Sequence, residues 1–401
     1  MFTGTSIAHI STFIALPFIS RLIGPDGFGI WALFFSVYAI FVVFINLRYE
    51  LAILTSKVLS DSKSLLILCF IISFFVSLLL LLTILIFRLD KINNLFLYLP
   101  MCIFLWGLNI SMINFLSKLQ EFKVVASSKV LYSISIAFFQ LILVWAYKDP
   151  AMMVLGLILG TLISIEFLRR KIHISSPGFS RKLSKEKLRK VANDYIGYPK
   201  INMPTAFMDA LAVNIPLMYI SVIYGSENLG SYALVANILF GLVALASRSI
   251  SQVFVSEISS QKLNPIEIYS LYKNLLSALF LISFCILTLL VFFGTDIFPF
   301  IFGTEWTKAG EISKILAFIF LVRFCVSPLS SSLLALNKIK LIAYWQSFYL
   351  SSILFFIVIS YIYKINFIEF LLVYACVEIF AYSIYGYLTW SKIKYNDIGI
   401  N

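Results

Sequence analysis

Six charged side chains within or at the ends of long apolar segments are the first candidates for chemistry in this 401-residue chain. They are four arginines, Arg21, Arg48, Arg248 and Arg323, and two acids, Asp209 and Glu378. A charge inside a lipid bilayer is costly, so each of them is a functional candidate by default. Arginine offers a permanently charged fork of donors that suits anionic groups. A carboxylate with no cation nearby in the sequence could instead bind a coupling proton or sodium ion.

Each of these side chains also has a structural explanation. Arg323 lies deep in its segment with no carboxylate within one helical turn, which favours a contact to a ligand over an ion pair with another helix. The other three arginines lie near segment ends, where a long side chain can simply extend to the water interface. Asp209 could pair with an arginine of the other half of the chain, and Glu378 could pair with a lysine or arginine.

Six amide side chains in the same segments could line a polar path, although such residues equally often hold membrane helices together. They are Asn46, Asn109, Asn114, Gln140, Asn214 and Gln346. His9 and His173 are far apart, and the five cysteines lie in apolar segments without CxxC spacing. We therefore predict no metal site and no cofactor.

The composition requires a membrane to surround these residues. Hydrophobic residues make up 61% of the chain, charged residues only 12%, and the mean hydropathy is +0.97. Soluble domains carry roughly a quarter charged residues. Apolar stretches of the length that crosses a bilayer as a helix recur throughout. Runs such as 65–87 do not alternate in polarity, which excludes a β-barrel.

The apolar stretches predict an all-α integral membrane protein with about 12 transmembrane helices. We place them at 2–22, 28–47, 65–87, 96–117, 128–147, 151–168, 204–224, 231–250, 272–293, 312–335, 342–363 and 367–389. The first span begins almost at Met1 without a basic region or a cleavage site, so we expect it to be retained.

The distribution of lysine and arginine predicts the orientation. Loops after the even-numbered spans and the C-terminal tail carry most of these residues. The opposite side carries Arg88, Lys91, Lys148, Lys308, Lys314 and Lys364. By the positive-inside rule both termini are cytoplasmic. The net charge of +12 is then a topology signal, and no nucleic-acid partner is predicted.

The longest polar segment is the basic stretch 169–203, which we predict to be a cytoplasmic linker. Its basic residues alternate with apolar ones at roughly helical spacing. A helix that lies flat on an anionic membrane surface has this pattern. A solvated linker is the alternative interpretation.

An internal repeat predicts the architecture. The sequence from Gly24 to Leu33, GPDGFGIWAL, recurs from Gly225 to Leu234 as GSENLGSYAL, and each copy follows a span that contains proline. We infer two six-helix lobes, 1–168 and 204–401 with a short cytoplasmic tail, on either side of the linker. Because each lobe has an even number of spans, a pseudo-twofold axis along the membrane normal should relate them.

Several motifs make the chain similar to a known family. The sequence from Pro17 to Gly29, PFISRLIGPDGFG, and the sequence from Arg48 to Ile53, RYELAI, resemble the opening of bacterial polysaccharide flippases of the O-antigen (Wzx) type. Tyr198-Pro-Lys, Asp209 with Pro216, and the sequence from Ser249 to Phe254 are similar to that family's seventh and eighth spans. These flippases belong to the multidrug/oligosaccharidyl-lipid/polysaccharide exporter superfamily.

The resemblance implies a substrate with an undecaprenyl tail, a diphosphate and an oligosaccharide, carried across a bacterial inner membrane by alternating access. The four arginines would then receive the phosphates, and the amides would line the sugar path. Membrane lipids, a polysaccharide polymerase and chain-length proteins are the other implied partners.

Two other functions remain open. A multidrug/cation antiporter of the same superfamily would place acids against cationic drugs. A membrane glycosyltransferase or polymerase would need a large external loop with catalytic residues, whereas the longest external loop here is 294–311. The short external loops therefore lead us to expect a protein that is not an enzyme. The chain has no GxxxxGK[ST] loop, so we predict no ATP hydrolysis.

Overall fold

The computed structural model describes residues 2–91, 93–175, 184–259, 265–336 and 338–397, and the regular structure in these residues is helical throughout. The α-helices are α1 (Phe2–Val42), α2 (Tyr49–Thr55), α3 (Leu59–Phe87), α4 (Leu99–Lys118), α5 (Phe122–Tyr147), α6 (Ala151–Ser175), α7 (Lys185–Asp194), α8 (Met203–Tyr224), α9 (Ser226–Ser259), α10 (Pro265–Phe302), α11 (Thr307–Val326), α12 (Ser331–Ala335), α13 (Ile339–Tyr363) and α14 (Phe367–Asp397). Arg181 and Lys182 of the predicted linker lie outside the described residues.

Eleven segments of the described residues are long and apolar enough to cross a membrane, consistent with the prediction of about 12. The first two predicted spans are continuous in α1. Gly24 interrupts this helix with a φ of 65° and a ψ of 178°, so α1 consists of two helices joined at a kink. Only glycine adopts such a conformation without strain.

The repeat is visible in the backbone. Gly225, the residue that matches Gly24, also has a positive φ, 88°, and separates α8 from α9. A second correspondence lies further along each copy. Lys148 follows α5 with a φ of 51°, and Lys364 follows α13 with a φ of 48°. Both lysines end a helix in the left-handed conformation, and the next helix begins within three residues.

One span ends earlier than the sequence predicts, and another is interrupted. The span placed at 28–47 stops at Val42, because the chain turns through 43–48 before α2 begins. The span placed at 312–335 is broken between α11 and α12, where Pro328 has no N–H to continue the helix. Conversely, α6 continues to Ser175, so the first part of the segment predicted as a linker is helical.

The chain divides into two compact units, Met1–Met218 and Tyr219–Asn401. In the first unit α3 packs against α4 and α5 against α6, and in the second unit α10 packs against α11 and α13 against α14. The predicted boundaries of the lobes, and the axis that would relate them, stay predictions.

The short helix α7 is seated on the first unit. Val191 is buried in the same apolar cluster as Leu66 of α3, Met112 of α4 and Ile172 of α6. The hydroxyl of Tyr49 donates a hydrogen bond of 2.9 Å to the carbonyl oxygen of Ala192. The apolar face of α7 is therefore turned towards the protein.

Replacing Gly225 by alanine tests the backbone of the repeated turn. A Cβ at this position would meet no atom within 4 Å, so the positive φ is the only source of cost. We expect Gly225→Ala to lower the free energy of unfolding by about 1 kcal/mol in a denaturation titration of the purified protein. Gly197→Ala is the matched control, because a Cβ there is equally unhindered and its φ is −60°. Equal effects of the two substitutions would contradict the assignment.

Candidate functional site

A buried ion pair lies inside the second unit. Arg323 of α11 donates to Glu378 of α14 twice, from Nε at 2.9 Å and from Nη2 at 2.6 Å, both to Oε2. The hydroxyl of Tyr349 donates to the other carboxylate oxygen, Oε1, at 2.5 Å and accepts from Arg323 Nη2 at 2.8 Å. Glu378 is 0% exposed and Arg323 is 7% exposed. Both carboxylate oxygens are thus engaged within the protein.

Aromatic rings enclose this pair. The guanidinium carbon of Arg323 lies 4.5 Å from the ring centre of Phe240 and 4.8 Å from that of Tyr382. The ring of Trp345 is stacked on that of Tyr349, with the two ring centres 5.2 Å apart. These contacts replace water around the charge with hydrogen bonds and ring faces. The ion pair joins α11 to α14, Tyr349 connects it to α13, and Phe240 contributes a contact from α9.

The sequence assigned these two residues to separate roles, Arg323 to the substrate and Glu378 to a coupling ion. The structure brings them together as an ion pair, which was the alternative for each. Their predicted roles stay predictions, but a guanidinium and a carboxylate that bind each other are not available to a ligand without breaking the pair.

A different arrangement lies in the first unit, at the turn between α1 and α2. Leu47 and Arg48 are consecutive non-glycine residues with positive φ, 48° and 65°. Such residues are uncommon, and strained backbone of this kind concentrates at functional sites. Arg48 Nη1 lies 3.6 Å from Glu50 Oε1, and the Arg48 side chain is 28% exposed. The contact is looser and more open than the pair in the second unit.

Glu50 is the residue that sequence analysis missed. It is 7% exposed, and its Oε2 is buried without a hydrogen-bond partner among the described residues, as is Arg48 Nε. Glu50 lies between the candidate spans 13–42 and 59–87. Burial raises the pKa of its carboxyl group above the usual value, although Arg48 opposes the shift. The only signal in the sequence is its position two residues after Arg48.

Three side chains hold this turn in place. Asn46 donates to the carbonyl oxygen of Gly107 at 3.1 Å and to Ser111 Oγ at 2.9 Å. Asn114 donates to the backbone oxygen of Glu50 at 2.9 Å. Lys118 reaches the carbonyl oxygens at the end of α2, including that of Ser56 at 2.5 Å. Helix α4 therefore fixes both the turn and the helix that follows it.

Three of the four other predicted amides also make hydrogen bonds inside the protein. Asn109 donates to Ser164 Oγ at 2.7 Å, and Gln140 donates to the carbonyl oxygen of Met153 at 2.9 Å. Asn214 donates to the carbonyl oxygen of Ala210 within its own helix. Gln346 has a buried Oε1 without a hydrogen-bond partner among the described residues. Asn46, Asn109, Asn114 and Gln140 thus make contacts between segments of the first unit, which was the alternative to lining a path for sugars.

The remaining predicted site residues have exposed side chains in their own units. Arg21 lies beside Phe18 and Trp145 in an apolar groove of about 460 Å³. Arg248 is exposed on α9, and Asp209 is exposed on α8. Among the described residues, no group of three or more His, Cys, Asp or Glu side chains is placed to hold a metal ion.

Comparison with known sequences places the chain in a family. The profile of the family described as "Polysaccharide biosynthesis protein" matches residues 18–311, which is more than half of the chain. The chain belongs to this family. It is also 27% identical over 154 residues to the teichuronic acid biosynthesis protein TuaB of Bacillus subtilis strain 168, a match that covers 38% of this chain and 32% of that protein.

The fold is that of transporters of the MOP superfamily. An inward-facing multidrug resistance transporter of the MATE family has a TM-score of 0.69 and 13% identity, with 98% of this chain and 97% of that chain covered. A MOP superfamily transporter from Pyrococcus furiosus, described by the reversed polarity of its binding pocket, has a TM-score of 0.63 and 13% identity, with 98% and 94% covered. The family match and the fold together identify a multi-pass membrane protein of the polysaccharide biosynthesis family with the fold seen in MOP superfamily transporters.

The ion pair of the second unit should behave as a structural element. We expect Glu378→Ala to lower the free energy of unfolding by about 3–5 kcal/mol, because it leaves Arg323 charged and buried without its carboxylate. The double variant Arg323→Met/Glu378→Leu removes both charges and should recover most of that loss. Denaturation of the purified variants, including the singles Arg323→Met and Glu378→Leu, measures these values. A double variant as unstable as the sum of those two singles would show that the residues do not act as a pair.

Glu50 should make stability depend on pH. A carboxyl group whose pKa is raised by folding contributes stability at pH values below its ordinary pKa and loses that contribution as the pH rises through the folded value. We therefore expect Glu50→Gln to gain stability relative to the wild type as the pH rises from about 4 to 8. Thermal unfolding across this range measures the difference. Glu186→Gln, an exposed change on α7, is the control, and a pH-independent difference for Glu50→Gln would contradict the assignment.

Proposed function

We propose that this transporter moves an undecaprenyl-diphosphate-linked oligosaccharide, the repeat unit of an O-antigen or capsule, from the cytoplasmic to the periplasmic leaflet of a bacterial inner membrane. The observation that carries the proposal is the family match over residues 18–311 in a chain with a transporter fold. The partial similarity to a teichuronic acid biosynthesis protein supports a polymer precursor as the substrate. No covalent step is part of the proposal.

The chemistry of such a substrate explains why cations are needed. Its polyprenyl tail can remain in lipid, but the diphosphate and sugar would lose their water during the crossing. Guanidinium groups can replace that water with charge-assisted hydrogen bonds. We assign this role to Arg48, whose side chain is partly exposed and is held by a rigid turn, and to Arg21 and Arg248, which are exposed.

The contact between Arg48 and Glu50 suggests how the diphosphate would bind in the first step of transport. The two groups are 3.6 Å apart, and Glu50 Oε2 and Arg48 Nε have no partner among the described residues, so a diphosphate can compete for the guanidinium. Glu50 would then lose its cation while still buried, which favours protonation. Asp209, exposed on α8, is the second candidate for a coupling ion. Arg323 and Glu378 hold the second unit together in this proposal.

The rest of the proposed mechanism is alternating access. The two lobes alternate between an opening on the cytoplasmic side and one on the periplasmic side. Both termini are cytoplasmic, and a polysaccharide polymerase with its chain-length proteins receives the product. The rival is a multidrug/cation antiporter, which the fold of the MATE transporters supports equally well.

Reconstitution distinguishes the two functions. We expect proteoliposomes that contain the protein to expose a lipid-linked oligosaccharide to a membrane-impermeant oxidising enzyme, and to leave the distribution of a fluorescent organic cation unchanged. Arg48→Gln should slow the exposure at least about tenfold, equivalent to about 1.4 kcal/mol of lost interaction. Arg88→Gln is the matched control, because Arg88 also has a positive φ of 50° and its side chain is exposed at the end of α3.

Transport of the cation without movement of the oligosaccharide would refute the proposed substrate. Equal rates for Arg48→Gln and the wild type would leave the substrate in place but remove Arg48 from the site.

A further inference from the structure

An apolar groove opens in the first unit, and three of its lining residues belong to the apolar cluster that also contains Tyr49 and Ala52 of α2. Its volume is about 570 Å³, within the range of ligand pockets. Leu66 and Phe70 of α3, Met112 of α4 and Ile172 of α6 line it, and Ile174 at its edge is 70% exposed. Nothing polar comes from these five side chains, so the groove is suited to a hydrocarbon chain.

The mouth of the groove is basic. Arg169, Arg170 and His173 line it from the last turns of α6. Glu166 accepts hydrogen bonds from both arginines, from Arg169 Nε and from Arg170 Nε at 2.7 Å each. The two arginine side chains nevertheless remain 68% and 74% exposed. One carboxylate cannot neutralise two guanidinium groups, so the mouth keeps a net positive charge.

Helix α7 extends this basic surface. Its buried Val191 contacts the same apolar cluster that supplies Leu66, Met112 and Ile172 to the groove. Its exposed residues include Lys185, Arg189 and Lys190. The groove and the basic face of α7 therefore lie at the same end of the unit.

We propose that this groove binds an anionic phospholipid, with one acyl chain inside the groove and the phosphate at Arg169, Arg170 and His173. An apolar groove whose mouth carries positive charge matches a molecule with a hydrocarbon chain and an anionic head. The groove lies along membrane-spanning helices, and its mouth lies where α6 reaches its polar end. The acyl chain of a zwitterionic phospholipid fills the groove equally well, but its head group does not neutralise the positive charge of the mouth. The proposal is independent of what the protein transports.

The test is retention of lipid by the purified protein, measured by native mass spectrometry after incubation with phosphatidylglycerol or phosphatidylcholine at equal concentrations. We expect the wild type to retain phosphatidylglycerol at least fivefold better. Arg169→Gln/Arg170→Gln should abolish this preference, and Ile174→Trp, which fills the edge of the groove and keeps the charges, should lower retention of both lipids. All substituted side chains are exposed, and thermal unfolding confirms that the variants are folded.

Lys185→Gln/Arg189→Gln is the matched control, because it removes the same charge from the neighbouring surface and leaves the groove intact. It should change the preference by less than twofold. An effect as large as that of Arg169→Gln/Arg170→Gln would show diffuse attraction to a basic surface and overturn the proposal. Equal retention of the two lipids by the wild type would overturn it as well. Displacement of phosphatidylglycerol by equimolar farnesyl diphosphate, blocked in Ile174→Trp, would assign the groove to a prenyl diphosphate instead.

Discussion

A charged side chain in a largely apolar protein must be satisfied by the protein itself, and the second unit depends on this constraint. Arg323, Glu378 and Tyr349 form a closed set in which each carboxylate oxygen has a donor, and ring faces cover the guanidinium. Burying the two charges costs desolvation free energy, and removing one partner costs more because it leaves the other charge buried and unpaired. Its position between α11, α13 and α14 means that these helices cannot separate without exposing an unpaired charge to the apolar interior. We interpret the pair as the element that keeps the second unit rigid.

In the first unit the buried charges are less completely paired. At the equivalent stage of the repeat, α9 runs without interruption from Ser226 to Ser259, whereas the first unit breaks at 43–48 and restarts as α2. Asn46 and Asn114 donate hydrogen bonds that hold this break in place. Arg48 and Glu50 make only a long contact of 3.6 Å, and Arg48 Nε and Glu50 Oε2 are buried without a hydrogen-bond partner among the described residues. The two halves thus share a repeated turn at Gly24 and Gly225 but differ in how much of their charge is already neutralised. An anionic ligand could therefore form stronger hydrogen bonds with Arg48 in the first unit than with Arg323 in the second, because Arg323 is already paired.

The sequence predicted the parts of this structure that depend on local pattern. Apolar runs gave the helices, and the repeat gave two glycines that both have positive φ. It could not predict the pairing of Arg323 with Glu378, because the residues are 55 positions apart and only packing of two helices brings them together. The break at 43–48 was equally hidden, since its sequence VFINLR contains neither glycine nor proline and continues the apolar pattern. Glu50 was overlooked for that reason, because its burial follows from the break.

The central claim is that Arg48 binds the ligand, whereas Arg323 stabilises the fold of the second unit. Equilibrium binding of farnesyl diphosphate, a short prenyl diphosphate, to the purified protein tests this claim most directly. The account predicts that Arg48→Gln weakens binding at least about tenfold, or about 1.4 kcal/mol, while the folded double variant Arg323→Met/Glu378→Leu binds as the wild type does. Unchanged binding by Arg48→Gln together with lost binding by the double variant would contradict it.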